Sequence, residues 1–251
     1  MFWKIAKRIP LQITRWITVA FLACALVSRC QASPLHWITR LGHTNCDNHP
    51  VPLGYSSSPL ERREDEPVDN ALRFEAERSF PGGSTLTLVV CNGEVHVLPN
   101  PEPDKLKVLV HLGSGLGHEL TPKRFLQEFS LSSGSADIEW KLPERSRPEI
   151  VVYVPTNTNL DLELGKTSLL LNGVRGNKVV NAGKGKVRLE VKDSNLEYRS
   201  IIVDIAMGSF SDLRPGGTAG NHTPLHKEFD GQGDSTAHLM MAMGKVEIAP
   251  E

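Results

Sequence analysis

The sequence has little with which to do covalent chemistry and little that would hold it in a membrane. Its one sustained apolar run, residues 16–27, is twelve residues broken only by Thr18. A bilayer core needs about 20, so no stable transmembrane anchor is expected. No Gly-x-Ser-x-Gly elbow occurs, and serine-hydrolase chemistry lacks local support. Helical signal is confined to residues 122–129, enough for about two turns. A basic excess is missing too. Five of the 28 basic groups and none of the 29 acidic groups fall in residues 1–32, which leaves residues 33–251 at a net charge of −6. An acidic chain has no overall attraction for nucleic acid or anionic lipid. Nucleic-acid binding is not expected.

What is present begins at the N-terminus. Lys4, Lys7, Arg8 and Arg15 precede the apolar run, and Ser-Arg-Cys-Gln-Ala follows it, with small residues at Cys30 and Ala32. Basic region, apolar core and small-x-small site together make a secretory signal peptide over residues 1–32, cleaved between Ala32 and Ser33. A lipid-anchored start at Cys24 or Cys30 is the alternative, opposed by Phe21 and Arg29 respectively. The exported chain would be periplasmic or extracellular. Cys46 and Cys91 remain after cleavage. In an oxidising compartment they can pair across 45 residues, a link worth about 3–4 kcal/mol. Equally, Cys91 can be a small buried apolar residue and Cys46 a free thiol.

Residues 33–72 read as a disordered or loosely docked arm. Five prolines and a Ser-rich, mixed-charge stretch leave too little apolar surface to offset ordering entropy. From residue 73 onward the apolar period becomes two. Leu86, Leu88 and Val90 alternate; Val95 and Val97 resume after Asn92 and Gly93; further alternating runs cover residues 106–112, 138–142 and 150–154. Gly, Pro and Asn bound each run, which is the pattern of half-buried strands. The chain is expected to be all-β.

The second half repeats a phrase in which a glycine separates two alternating apolar runs. Its glycines are Gly165, Gly185, Gly208 and Gly244, spaced by 20, 23 and 36 residues. Such spacing is the mark of stacked coils, each burying its apolar face on the next. The expected fold is a parallel β-solenoid over residues 73–251, antiparallel-leaning in its N-terminal part. A glycine at each turn, Gly93 included, supplies a positive φ that β-branched residues refuse. Val203 and Ile205 should then lie over the row of Leu160, Leu162 and Leu164. The long final gap fits a loop insertion at 214–236, rich in Gly, Asn and Pro.

The order of motifs resembles the bacterial adhesin-like domain family. Phe-Pro-Gly-Gly-Ser-Thr-Leu-Thr-Leu from Phe80, then Cys-Asn-Gly-Glu-Val-His-Val from Cys91, is similar to that family's opening strand and turn. Val-Tyr-Val-Pro-Thr-Asn-Thr-Asn-Leu-Asp-Leu from Val152 is similar to its second motif, and the Gly-x-Val-x-Leu repeats follow. The likeness spans roughly residues 74–250. It implies an exported β-solenoid or β-roll without a defined activity. The turns here, Gly165-Lys, Gly185-Lys and Gly208-Ser, are more basic than the family's usual Gly-Asp turns.

Candidate chemistry is thin. Asp161 and Glu163 point the same way on one strand. Counting back from the glycines puts Asn181, Asp204, Met240, Gly183, Ala206 and Ala242 at the equivalent positions. No acidic ladder of the kind a polysaccharide lyase or hydrolase needs is formed. His222 and His226, with His238 further on, have zinc-like spacing but straddle Pro224 in a loop. Asp230-Gly-Gln-Gly-Asp234 is one degenerate copy of a calcium turn. Gly165-Lys-Thr lacks the first glycine of a phosphate loop, since position 160 is Leu. No metal, cofactor or catalytic set is expected. The chain reads as a non-catalytic envelope module whose partner is another envelope protein or a glycan, with residues 214–236 as the contact loop. The alternative is a carbohydrate-active enzyme on the same scaffold.

Overall fold

Alternating apolar residues make the strands here, and a row of glycines decides where the longest of them bend. The computed structural model describes residues 61–62, 72–112, 126–132, 134–140 and 148–251, all within the unit Arg40–Glu251. The expected signal segment with its expected Ala32–Ser33 cleavage site, Cys46 and nearly all of the expected arm lie outside the described residues. The described strands are β1 (Glu61–Arg62), β2 (Leu72–Ser79), β3 (Thr85–Pro99), β4 (Lys105–Leu112), β5 (Leu126–Ser132), β6 (Ser135–Trp140) and β7 (Glu149–Val154). They continue as β8 (Asn159–Leu171), β9 (Lys178–Val191), β10 (Tyr198–Asp212), β11 (Ala219–Gly220), β12 (Leu225–Asp230) and β13 (Ser235–Pro250). A single helical turn, α1 (Ser194–Glu197), joins β9 to β10. The fold is all-β.

The sheet is mixed and open, so the expected parallel solenoid describes only part of it. The strand path runs β1-β2-β4-β7-β3-β8-β9-β13-β10-β11. Pairing is parallel from β7 through β3, β8, β9 and β13 to β10. It is antiparallel among β1, β2, β4 and β7, and again where β11 and β12 join β10. The first half of β3 also takes β6 as a parallel neighbour, with β5 antiparallel beyond it. Residues 126–129 therefore lie in a strand rather than in the helix expected for 122–129. Phe129 and Leu131 pack on the core, and that tertiary burial outweighs a two-turn helix, too short to hold itself together.

Each long strand is two arms joined at a corner. In β8 the even residues Leu160, Leu162 and Leu164 are buried, then the odd residues Leu169 and Leu171. The same switch occurs in β9 (Val180, Ala182, then Val187, Leu189, Val191) and in β13 (Ala237, Leu239, Met241, then Val246, Ile248). Side chains alternate with period two, so keeping the core on one side through a bend requires one extra residue there. The apolar columns stay in register across the tract: Leu162–Val180–Leu239–Val203 and Leu164–Ala182–Met241–Ile205. Val203 and Ile205 thus share columns with Leu162 and Leu164, but two strands stand between them. The last strand, β13, inserts between β9 and β10, and chain order is not stacking order. The insertion explains this. Residues 225–230 double back along one edge of β10 as β12, which leaves its other edge to β13.

Candidate functional site

The corners form one row, Gly93–Thr167–Gly185–Gly244–Gly208. Gly185 (φ 140°), Gly244 (φ 144°) and Gly208 (φ 144°) are left-handed in extended sense, as is Gly93 (φ 120°). A Cβ on Gly185 would fall on the carbonyl of Thr167, on Gly244 upon that of Gly185, and on Gly208 upon that of Gly244. Each missing side chain is the space its neighbour's backbone occupies. Gly165 is not in this row. It precedes it by two residues, against the backbone of Cys91, and Thr167 holds the corner with its hydroxyl donating to the Val90 carbonyl at 3.2 Å. The parity of Leu164 and Leu169 carries that signal, whereas the eye is drawn to the glycine.

Two outward rows flank the corner. Lys166–Lys184–Met243–Met207 lies on one side and Ser168–Lys186–Lys245–Ser209 on the other. Just beyond, Glu247 is almost wholly buried beneath cations: Lys186 at 2.7 Å, Lys245 at 2.7 Å and Arg188 at 3.5 Å. Burial alone would raise its pKa, but the ammonium groups of Lys186 and Lys245 bring it below the ordinary carboxylate value.

At the starts of the parallel strands lies an open cleft of about 870 Å³. Asn157, Arg175, Lys192, Glu197 and Asp234 face it, with exposed Leu196. Its wall is a ladder of amides. Asn159 Nδ2 donates to the Gly83 carbonyl and its Oδ1 accepts from Asn177 N–H; Asn177 Oδ1 accepts from the Thr236 N–H. These bonds satisfy strand ends that would otherwise be open. Behind the ladder Lys178 is buried, its Nζ donating to the Gly176 carbonyl at 2.7 Å and standing 4.8 Å from the Tyr198 ring centroid. Burial draws the lysine down to about 7 and pushes the tyrosine up.

A third cluster ties the insertion to the sheet. Asp204 is buried on β10; His226 Nδ1–H donates to its Oδ1 and His238 Nε2–H to its Oδ2, both at 2.7 Å. One carboxylate thereby clamps β10, β12 and β13. Sequence spacing paired His226 with His222 instead, which is exposed; the partner Asp204 is set by cross-strand register with His226 and is invisible in spacing. Among the described residues no group of His, Cys, Asp and Glu is arranged to hold a metal ion. The insertion's first residue, Arg214, forks onto Asp212 (Nε–Oδ1 2.7 Å, Nη2–Oδ2 2.6 Å) and covers Phe229, which in turn touches Phe210.

The remaining sequence candidates are dispersed. Asp161 is exposed; Glu163 shares a row with Asn181, Met240 and Asp204, so Asn181 and Met240 separate the two acids. Asp230 ends β12 and Asp234 faces the cleft. Cys91 is disulfide-bonded. No helix among the described residues is long and apolar enough to cross a membrane.

No family model and no curated protein matches the chain. Solved structures do. One is a chain named for cell adhesion from Clostridium sporogenes, 11% identical, covering 70% of this chain and 99% of its own, with a TM-score of 0.43. Another is named for lipid binding, from Parabacteroides distasonis, at 11% identity, 71% and 66% coverage and a TM-score of 0.28. A third, from Parabacteroides merdae, carries an adhesin name at 8% identity, 70% and 76% coverage and a TM-score of 0.25. Adhesin-named structures are thus among those to which this chain is similar.

Proposed function

We propose that the chain is an exported, non-catalytic binding module of the cell envelope, in which the parallel tract is a β-solenoid and residues 214–236 contact an envelope protein or glycan. The observation that carries this is how the insertion is held. Arg214 is forked onto Asp212 at its start, β12 runs along β10, and His226 is fixed to Asp204. Between those anchors, residues 215–218 and 221–224 are exposed apart from no more than their backbone turns. A polar tip on a rigid base is what recognition without chemistry requires, since little entropy is lost on binding.

The test replaces 215–218 and 221–224 with Gly-Ser sequence, leaving β12 and its anchors in place, and measures crosslinking to envelope components. Loss of the crosslinked species is expected; unchanged crosslinking would remove the insertion from the proposal. The carbohydrate-active alternative would draw on the carboxylates that line the open cleft, Asp193, Glu197 and Asp234. Incubation with acidic polysaccharides and assay of new reducing ends addresses it, and release of product would overturn the non-catalytic reading.

A further inference from the structure

We infer that the corner of the parallel tract is a docking ridge for an anionic lipid surface. This goes beyond the contact through the insertion and does not depend on it. Parallel, in-register pairing brings Lys184, Lys186 and Lys245 together beside the glycine row, on two neighbouring strands about 4.8 Å apart. Lys184 is exposed, and Lys186 and Lys245 are 44% and 43% exposed. The same ridge continues into Met243 and Met207, exposed by 42% and 56%. Glu247, the acid among them, is buried and engaged by Lys186, Lys245 and Arg188, so it holds the lysines in place without facing outward.

The overall charge of −6 for residues 33–251 argues against such an affinity only if the whole surface is averaged. Charges farther than a Debye length, about 8 Å in physiological salt, are screened. A surface pressed to the ridge therefore senses the lysines first. The thioethers decide between anionic occupants. An acidic glycan would neutralise the lysines but leave Met207 and Met243 with nothing apolar to meet. A lipid surface accepts both, its phosphates taking the ammonium groups and its acyl boundary the methionines. The corner glycines supply the spacing: a Cβ on Gly185 or Gly244 would fall on the neighbouring strand's carbonyl, so its absence lets the strands stack closely and sets Lys184, Lys186 and Lys245 side by side.

The test is co-sedimentation of the protein, in the form its cells accumulate, with vesicles of phosphatidylcholine alone or with one quarter phosphatidylglycerol. Binding is expected only with phosphatidylglycerol, and it should weaken as salt rises. Lys184→Gln/Lys186→Gln/Lys245→Gln should lower partitioning by about fivefold per lysine, the equivalent of about 1 kcal/mol each. Met207→Ser/Met243→Ser should lower it severalfold with the salt dependence unchanged. Since the triple change strips partners from Glu247, Lys184→Glu serves as a second variant that leaves them in place, and it should weaken binding by more than fivefold. Wild-type-like partitioning of Lys184→Glu, absence of binding to phosphatidylglycerol, or binding to polygalacturonate that ignores the methionine changes would each overturn the proposal.

Discussion

The antiparallel flank of β2, β4 and β7 and the parallel tract of β8, β9, β13 and β10 solve the same problem in different ways. Antiparallel pairing sets unlike residues side by side. Lys107 reaches Glu75 at 2.6 Å and Lys105 reaches Glu77 at 2.7 Å, each diagonal across β2 and β4. Such solvent-accessible pairs contribute little, about 0–1 kcal/mol, but they leave no charge in excess. Parallel, in-register stacking of a repeated phrase does the opposite. It sets like beside like: glycine against glycine, asparagine against asparagine, lysine against lysine. Like charges a strand apart repel, and the tract tolerates them by burying Glu247 among them. Stacking thus groups like side chains within a row, as Lys186 beside Lys245 and Met243 beside Met207, and such groups make surfaces; pairing makes a scaffold.

The sharpest way to break this contrast is at the corner. Gly244→Val places a side chain in the Gly185 carbonyl while demanding a φ that valine avoids. A loss of more than about 4 kcal/mol, or no folded protein, is expected in chemical denaturation. In the turn before β3, Gly83→Ala meets nothing within 4 Å and carries only the strain of its φ of 82°, so it should cost about 1 kcal/mol. Equal losses at both sites would mean the corner row does not hold the tract together.

Lys178 sharpens the comparison next, because the antiparallel flank has no buried cation among its described residues. Held down to about 7 by burial, against an ordinary 10.5, it binds fewer protons folded than unfolded between those values. Stability should therefore rise as pH climbs from about 7 toward 10, by up to about 1.4 kcal/mol per unit. Below pH 7 the lysine is charged in both states and the full burial penalty stands. Lys178→Met should raise the melting temperature at pH 6 and flatten the alkaline rise. A parallel pH profile for the variant would contradict this assignment.

A smaller effect is expected at the insertion's anchor. Burial alone would raise the pKa of Asp212, but its bonds to Arg214 hold it below the usual value. The stability they supply is present at neutral pH and is lost as pH falls through that lowered value. Asp212→Asn should cost about 1–3 kcal/mol at pH 7 and narrow the gap to wild type in acid. Least of all, Lys107→Gln on the flank should change stability by less than about 1 kcal/mol, and salt should erase even that. A larger loss would show that the flank depends on its ion pairs.

Much of this architecture was legible in order along the chain. Period-two alternation marked β3, β4, β6 and β7 to within a few residues, because burial of one sheet face leaves that trace whatever the topology. The repeated glycine phrase marked the corners of β9, β10 and β13. It misplaced the corner of β8, where Thr167 rather than Gly165 turns the chain, without the positive φ of the corner glycines and with its hydroxyl bonded to the Val90 carbonyl. The stretch 122–129 misled for a related reason: a short segment takes the structure its neighbours offer.

By itself, then, the order of residues determined most of the strands, the corners of β9, β10 and β13 and the lysines that follow Gly165, Gly185 and Gly244, all of which depend on neighbours a few positions away. Only the tertiary structure decided that β13 enters between β9 and β10, that Asp204 meets two histidines from other strands, and that the cations of separate repeats stand on one ridge. Those outcomes depend on which strand edges were left open once the insertion had doubled back. Edge-to-edge pairing is a contest among distant segments for the same backbone donors and acceptors, and local sequence carries no record of its winner.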